Sequence, residues 1–234
     1  MEKLLDEIES YWSTRTEGYS EVNHKELAGT QKNAWLKVLT SQFPDKPKEE
    51  IRILDIGTGP GFFPVILAEA GYHVDAVDYT EGMLEKAKEN AGDLCRNIRF
   101  LRMDAQKLDF EDNTFDVVIS RNLTWNLEHP DVAYREWVRV LKVGGRLLNF
   151  DANWYGYLYE EEQRKAYEND RKNVENNSLD DHYLCTDIER MERIALQVPL
   201  SKISRPQWDV KTLREAGLLG IRTDTEIWNS EVSA

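Results

Sequence analysis

Cysteine is scarce in this chain: Cys95 and Cys185 are the two in 234 residues. They lie far apart, with no redox or metal-cluster spacing, so a disulfide framework is excluded as the organising device. Reduced thiols in a cytoplasmic protein are expected. Long apolar runs are also missing, and none approaches the roughly 20 residues that span a bilayer. The first residues, Met-Glu-Lys-Leu-Leu-Asp-Glu, lack the apolar core of a signal segment. Basic charge is in deficit: 30 Lys and Arg against 43 Asp and Glu give a net charge of −13. A protein that grips phosphate backbones is normally basic, so no nucleic-acid partner and no membrane partner is expected. Repeats and low-complexity tracts are absent too. What remains is 41% apolar and 31% charged, the balance of a soluble globular chain. Its length allows one large domain, residues 1–234, with a sizeable core.

Apolar periodicity divides that domain. Leu4, Leu5, Ile8, Tyr11 and Trp12 have helical spacing. A turn is expected at Glu17-Gly18, then a second helix through Leu27, Trp35 and Leu39, stopped at Pro44. Residues 1–50 thus read as an N-terminal helical cap. From Ile51 strands alternate with helices: strands at 51–56, 73–77, 98–102, 115–120 and 146–151, and helices at 62–70, 80–91 and 130–141. Such alternation predicts an α/β, doubly wound, mostly parallel sheet over a core of residues 51–151. Residues 152–200 break the pattern as an acidic, aromatic helical insertion after strand five. They read as a lid, with a solvated helical hairpin as the alternative. A C-terminal helix at about 209–216 and a strand at about 219–228 complete residues 201–234.

The densest chemical signal is Ile51-Arg-Ile-Leu-Asp-Ile-Gly-Thr-Gly-Pro-Gly61. A strand, a glycine turn and a helix bring backbone N–H groups and a helix N-terminus toward a nucleotide-like ligand. A dinucleotide fingerprint needs a small third residue. Here that position holds Phe62 or Pro64, both bulky, and no Gly-Lys-Ser/Thr phosphate loop is present. The loop is therefore built for a ligand without pyrophosphate. Asp78 ends the second strand, placed to accept from ribose hydroxyls. Asp104, with Ala105 beside it, follows the third strand, placed to accept from an adenine amino group. Together they describe adenosine without phosphate.

These motifs, with Phe115-Asp-Val-Val-Ile-Ser120 and Arg139-Val-Leu-Lys-Val-Gly-Gly-Arg-Leu-Leu148, resemble the class I S-adenosylmethionine-dependent methyltransferases. The resemblance is greatest to their small-molecule branch of ubiquinone and sterol methylating enzymes. It covers residues 50–151. It implies a Rossmann-like fold, S-adenosylmethionine as cofactor and a small-molecule methyl acceptor. It also implies roles for particular residues. Gly57, Thr58, Gly59 and Gly61 would form the methionine-side loop, with Asp55 orienting it. Asp78 would hold the ribose, with Tyr79 and Met83 packing nearby. Asp104 and Ala105 would hold the adenine edge. Asn122 would meet the methionyl amino group through its backbone, and Tyr19 would close over the carboxylate.

The Asn/Asp-Pro-Pro-aromatic motif of base-methylating relatives is missing from Arg121–Leu127. Trp125 and Asn126 are candidates to meet the acceptor, with Trp154 and Tyr157 as an opposite aromatic wall. Burial of the lid against the sheet explains these aromatics equally well. No catalytic residue is assigned. His24, His129 and His182 are the candidate bases, each better read as structural. His182 and Cys185 have helical metal spacing, but two ligands make no site, and no metal is expected. The competing function is a non-catalytic S-adenosylmethionine sensor or partner subunit with the same fold. The sequence names neither the acceptor nor an oligomeric state.

Overall fold

The computed structural model describes residues 4–177 and 186–227. Five parallel strands form one sheet: β1 (Arg52–Ile56), β2 (His73–Asp78), β3 (Ile98–Arg102), β4 (Phe115–Arg121) and β5 (Leu141–Phe150). Their order is β3-β2-β1-β4-β5. The chain winds outward from β1 to β3, then crosses to β4 on the other side. That reversal opens a crevice at the carboxyl ends of β1 and β4.

Strand periodicity assigns the two faces. Ile53, Val117 and Ile119 enter one cluster with Trp35, Leu39, Phe63 and Leu67. Those partners come from α2 (Gln31–Thr40) and α3 (Phe62–Glu69). Leu54, Ile56 and Val118 point the other way, into a cluster with Tyr134, Trp137 and Leu213. These belong to α5 (Pro130–Val140) and α8 (Gln207–Glu215). Residues buried from both sides are why β1 and β4 read as continuous apolar runs. Each fully buried large side chain contributes about 1.5–3 kcal/mol.

The cap departs from expectation. α1 runs unbroken from Leu4 to Ala28, straight through Glu17-Gly18. The break falls later, at Gly29-Thr30. A mid-helix glycine costs about 1 kcal/mol, less than one large buried apolar side chain contributes. Ile8, Tyr11, Thr16, Ser20 and Asn23 are buried along α1. The helix lies against α4 (Glu81–Ala91) so closely that a Cβ at Gly82 would sit 3.2 Å from Thr16 Oγ1.

The C-terminal strand is corrected as well. Residues 219–227 form no strand, and Trp228 lies outside the described residues. Leu219 is 90% exposed, and Arg222 to Glu226 is a polar, exposed run with no apolar face to lay beside β5. The 196–204 stretch supplies no strand either, only a 3-10 turn at Pro199–Ser201. Among the described residues β5 is therefore the outer strand.

The insertion splits in two. α6 (Glu161–Asn177) is strongly polar and acidic at its first turn. α7 (Ile188–Ala195), capped by Asp187 accepting from Arg190 N at 2.9 Å, buries Met191 and Ile194. Those two pack with Ile8, Tyr11 and Trp125. Among the described residues no helix is long and apolar enough to cross a membrane.

Candidate functional site

One cleft sits over the carboxyl ends of the strands, about 820 Å³ including its open mouth. It gathers Tyr19, Gly57, Gly59, Asp78, Tyr79, Met83, Asp104, Ala105, Asn122 and Asn126, all expected from the sequence. The glycine turn that starts it is held from beneath. Gly57 and Thr58 both donate N–H to the Val77 carbonyl, at 2.8 and 3.0 Å. Gly59 N–H donates to Asp78 Oδ2 at 2.9 Å, and Gly61 N–H to Thr58 O at 3.0 Å.

The expectation of bare loop N–H groups is thereby corrected. These four donors are spent inside the protein. The carbonyls of Gly57 and Gly59 accept no hydrogen bond among the described residues. A loop with acceptors to spare suits an ammonium or sulfonium and gives nothing to a phosphate. Glycine is required at Gly57, where φ is +70° and a Cβ would lie 2.7 Å from Leu123 Cδ2.

Gly61, also at positive φ, has a different task. A Cβ there would sit 3.0 Å from Ala87 Cβ, so it permits close packing of α3 on α4 and does not line the cleft. Asp55 and Thr58 do not line it either; both are buried beneath the turn. Burial pushes the Asp55 carboxyl up to about 7. The Thr58 hydroxyl opposes the rise, Asp78 adds to it, and Arg121 opposes it. The Asp78 carboxyl is also raised by burial, against the N–H groups of Thr80 and Gly59.

Asp104 forms its own turn, Oδ1 accepting from Gln106 N at 2.8 Å and Gln106 Nε2 at 3.1 Å. The Ala105 carbonyl is fastened by Trp137 Nε1 at 2.9 Å. Asn122 takes φ +55°, which asparagine tolerates. Its N–H donates to Phe150 O at 2.8 Å, and its carbonyl accepts from Trp125 Nε1 at 3.0 Å. That carbonyl keeps a second lone pair for a ligand.

The proposed aromatic wall is not brought together at the cleft. Trp125 is buried beside α7 and stacks on Tyr155 at 5.0 Å. Tyr157 stacks on Tyr167 at 4.1 Å and donates to Glu192 at 2.9 Å, burying the insertion on itself. Trp154 is 47% exposed, with its indole on Asp151. None of the described residues 152–200 lines the cleft. Its outer wall comes instead from α1: Leu5, Ile8, Glu9 and Trp12, with Trp12 edge-on to Tyr19 at 5.6 Å. The expected turn at 17–18 hid this wall. An unbroken helix sets Trp12 and Tyr19 two turns apart on one face, and that spacing was the available signal.

His24 and His129 are exposed and outside the cleft; His182 and Cys185 lie outside the described residues. Among the described residues no group of three or more His, Cys, Asp or Glu is placed to hold a metal.

The Methyltransferase domain family matches residues 54–149. The chain is 41% identical over 98 residues to the demethylmenaquinone methyltransferase of Clavibacter sepedonicus, covering 42% of this chain and 39% of that protein. It is 31% identical over 148 residues to the demethylmenaquinone methyltransferase of Renibacterium salmoninarum, covering 63% and 60%. The matches thus span about two fifths to three fifths of those relatives' lengths. The S-adenosylmethionine-dependent methyltransferase structure from Aquifex aeolicus superposes with TM-score 0.52 at 24% identity, over 82% of this chain and 85% of that one; this likeness concerns the fold. The likeness to the Methyltransferase domain family is thus carried by residues 54–149, the segment that runs from β1 through β4 and holds the glycine turn.

Proposed function

We propose that the protein transfers a methyl group from S-adenosylmethionine to a small-molecule acceptor. The observation that carries this is the wiring of the glycine turn. Its N–H groups are consumed by Val77, Asp78 and Thr58, while Asp78 and Asp104 line the cleft on the same side. Asp78 would accept from the ribose hydroxyls, Asp104 from the adenine amino group, and the Gly57 carbonyl from the methionyl ammonium. The sulfonium supplies a methyl primed for in-line displacement. The chain's own residues hold the donor, align the acceptor and exclude water. α1 serves the last of these, lining the cleft with Trp12 and Tyr19.

The quinones in the relatives' names are the acceptors of those proteins. The α1 wall lies before residue 54, outside the matched domain. Calorimetric titration with S-adenosylmethionine and S-adenosylhomocysteine tests the reading. Micromolar binding of both is expected; binding of neither by folded protein overturns it.

A further inference from the structure

The acceptor side of the cleft has a one-sided chemistry. α1 contributes Ile8, Glu9 and Trp12; the turn after β4 contributes Asn126, Leu127 and Glu128. That turn is fixed before any ligand arrives. Asp151 Oδ2 accepts from Thr124 Oγ1 and from Trp125 N, at 2.5 and 3.0 Å. Arg205 Nη1 reaches the same oxygen at 3.1 Å. Asn126 follows directly and donates its N–H to Leu123 O at 3.0 Å. Its backbone is thus tied. Asn126 is 4% exposed, yet its Oδ1 accepts no hydrogen bond from any described residue. A buried acceptor without a donor needs one from elsewhere, and this one lines the cleft.

The other polar groups there repeat the sign. Glu9 has only a long contact to Arg102, 3.5 Å, and Glu128 lies 3.7 Å from His129 Nε2. The cleft's arginine is already spent. Arg121 grips Glu26 through both terminal nitrogens, at 3.2 and 2.6 Å, and stacks on Trp35 and Phe62. Gln106 is used at both ends, by Asp104 and by His129 N–H. The site therefore offers oxygen acceptors, two carboxylates and an indole. Anionic acceptors are repelled by this set, and N–H donors with positive charge are drawn to it.

We propose that the methyl acceptor is an amine on an apolar or aromatic body, its N–H bound by Asn126 Oδ1. Glu9 and Glu128 draw its ammonium form into the mouth. The ammonium first loses one proton to water. The nitrogen lone pair then forms the N–C bond as the S–C bond breaks, its electron pair staying on sulfur. A second proton leaves the product nitrogen to solvent when the product is neutral.

This inference rests on the methyl-transfer reading, and the experiment separates the two. The full chain is incubated with methyl-labelled S-adenosylmethionine and a panel of aryl-alkyl amines, phenols and aryl carboxylates. S-adenosylhomocysteine binding is measured on the same preparation. Label in amines alone is expected. Asn126→Ala should lower amine kcat/KM more than tenfold and leave S-adenosylhomocysteine affinity within threefold. Glu128→Gln, a surface change safe for folding, should lower it about threefold through KM. Label in phenols or carboxylates, label in no compound, or full amine turnover by both variants overturns the amine proposal. Absent S-adenosylhomocysteine binding overturns the methyl-transfer reading beneath it.

Discussion

The two walls of the cleft are built on opposite principles. The inner wall is the carboxyl ends of β1 to β4, where backbone and short acidic side chains are fixed by the sheet itself. The outer wall is one face of α1, a helix packed on other helices, α4 and α7 among them, and tied to β4 by the Glu26–Arg121 ion pair. On the proposed reading the first wall holds the methyl donor, and the second, with the turn after β4, faces the acceptor.

That contrast can be broken at its joint. Asp151 and Arg205 form a buried ion pair, with side chains 1% and 7% exposed. Asp151→Ala leaves Arg205 with Asp209 alone and removes the acceptor of Thr124 and Trp125 N–H, and should cost about 2–4 kcal/mol of stability by denaturant unfolding. A loss under about 1 kcal/mol would mean the turn after β4 holds itself. Next in size, Asp78→Ala removes a charged acceptor from the inner wall. It should weaken S-adenosylhomocysteine binding by about 1.5–3 kcal/mol in calorimetry. An unchanged affinity removes Asp78 from the site. On the outer wall, Trp12→Ala should change acceptor KM by about tenfold, roughly 1.4 kcal/mol, and leave cofactor affinity nearly alone. Equal losses in both would erase the division between the walls.

The sheet also carries opposed pH signatures. The Asp55 carboxyl titrates higher folded than unfolded, from 3.8 to about 7, so the native state binds the proton more tightly. Its contribution is present below about pH 4 and is lost as pH rises toward 7. Asp116 is the reverse. Lys142, Lys46 and the Arg52 N–H outweigh its burial and bring it down to about 2. Its contribution is present above about pH 4 and is lost as pH falls toward 2. Asp55→Asn should flatten the first slope in pH-dependent unfolding and leave the second. The smallest effect tests the continuity of α1. Gly18→Ala should stabilise by about 0.5–1 kcal/mol, because its Cβ meets only Arg15 Nη1, at 3.7 Å. Destabilisation would mean a broken helix.

Sequence legibility follows the same division. β1 and β4 are buried on both faces, so their residues announce strands. Asp78 and Asp104 sit at strand ends, where position implies task. The loop's wiring was not legible, because spacing shows that glycines turn the chain and not which way their N–H groups point. Nor was α1's role. Gly18 reads as a turn locally, and only its packing against α4 overrides that. Trp154 and Tyr157 were misleading for a related reason: an aromatic cluster on an acidic insertion can bury itself, and Tyr157 on Tyr167 does so. Arg222–Glu226 shows the limit at the C-terminus, where two threonines among charged residues, without an apolar face, form no strand.

On the proposed reading the inner wall holds a phosphate-free adenosine whose ammonium tail meets carbonyls of the glycine turn. A crystal structure with S-adenosylhomocysteine tests it most directly. The expected result has the ribose hydroxyls on Asp78, the adenine edge at Asp104 and Ala105, and the amino group within hydrogen-bond reach of the Gly57 carbonyl. A ligand lying elsewhere, or with its adenosine turned toward α1, would contradict it.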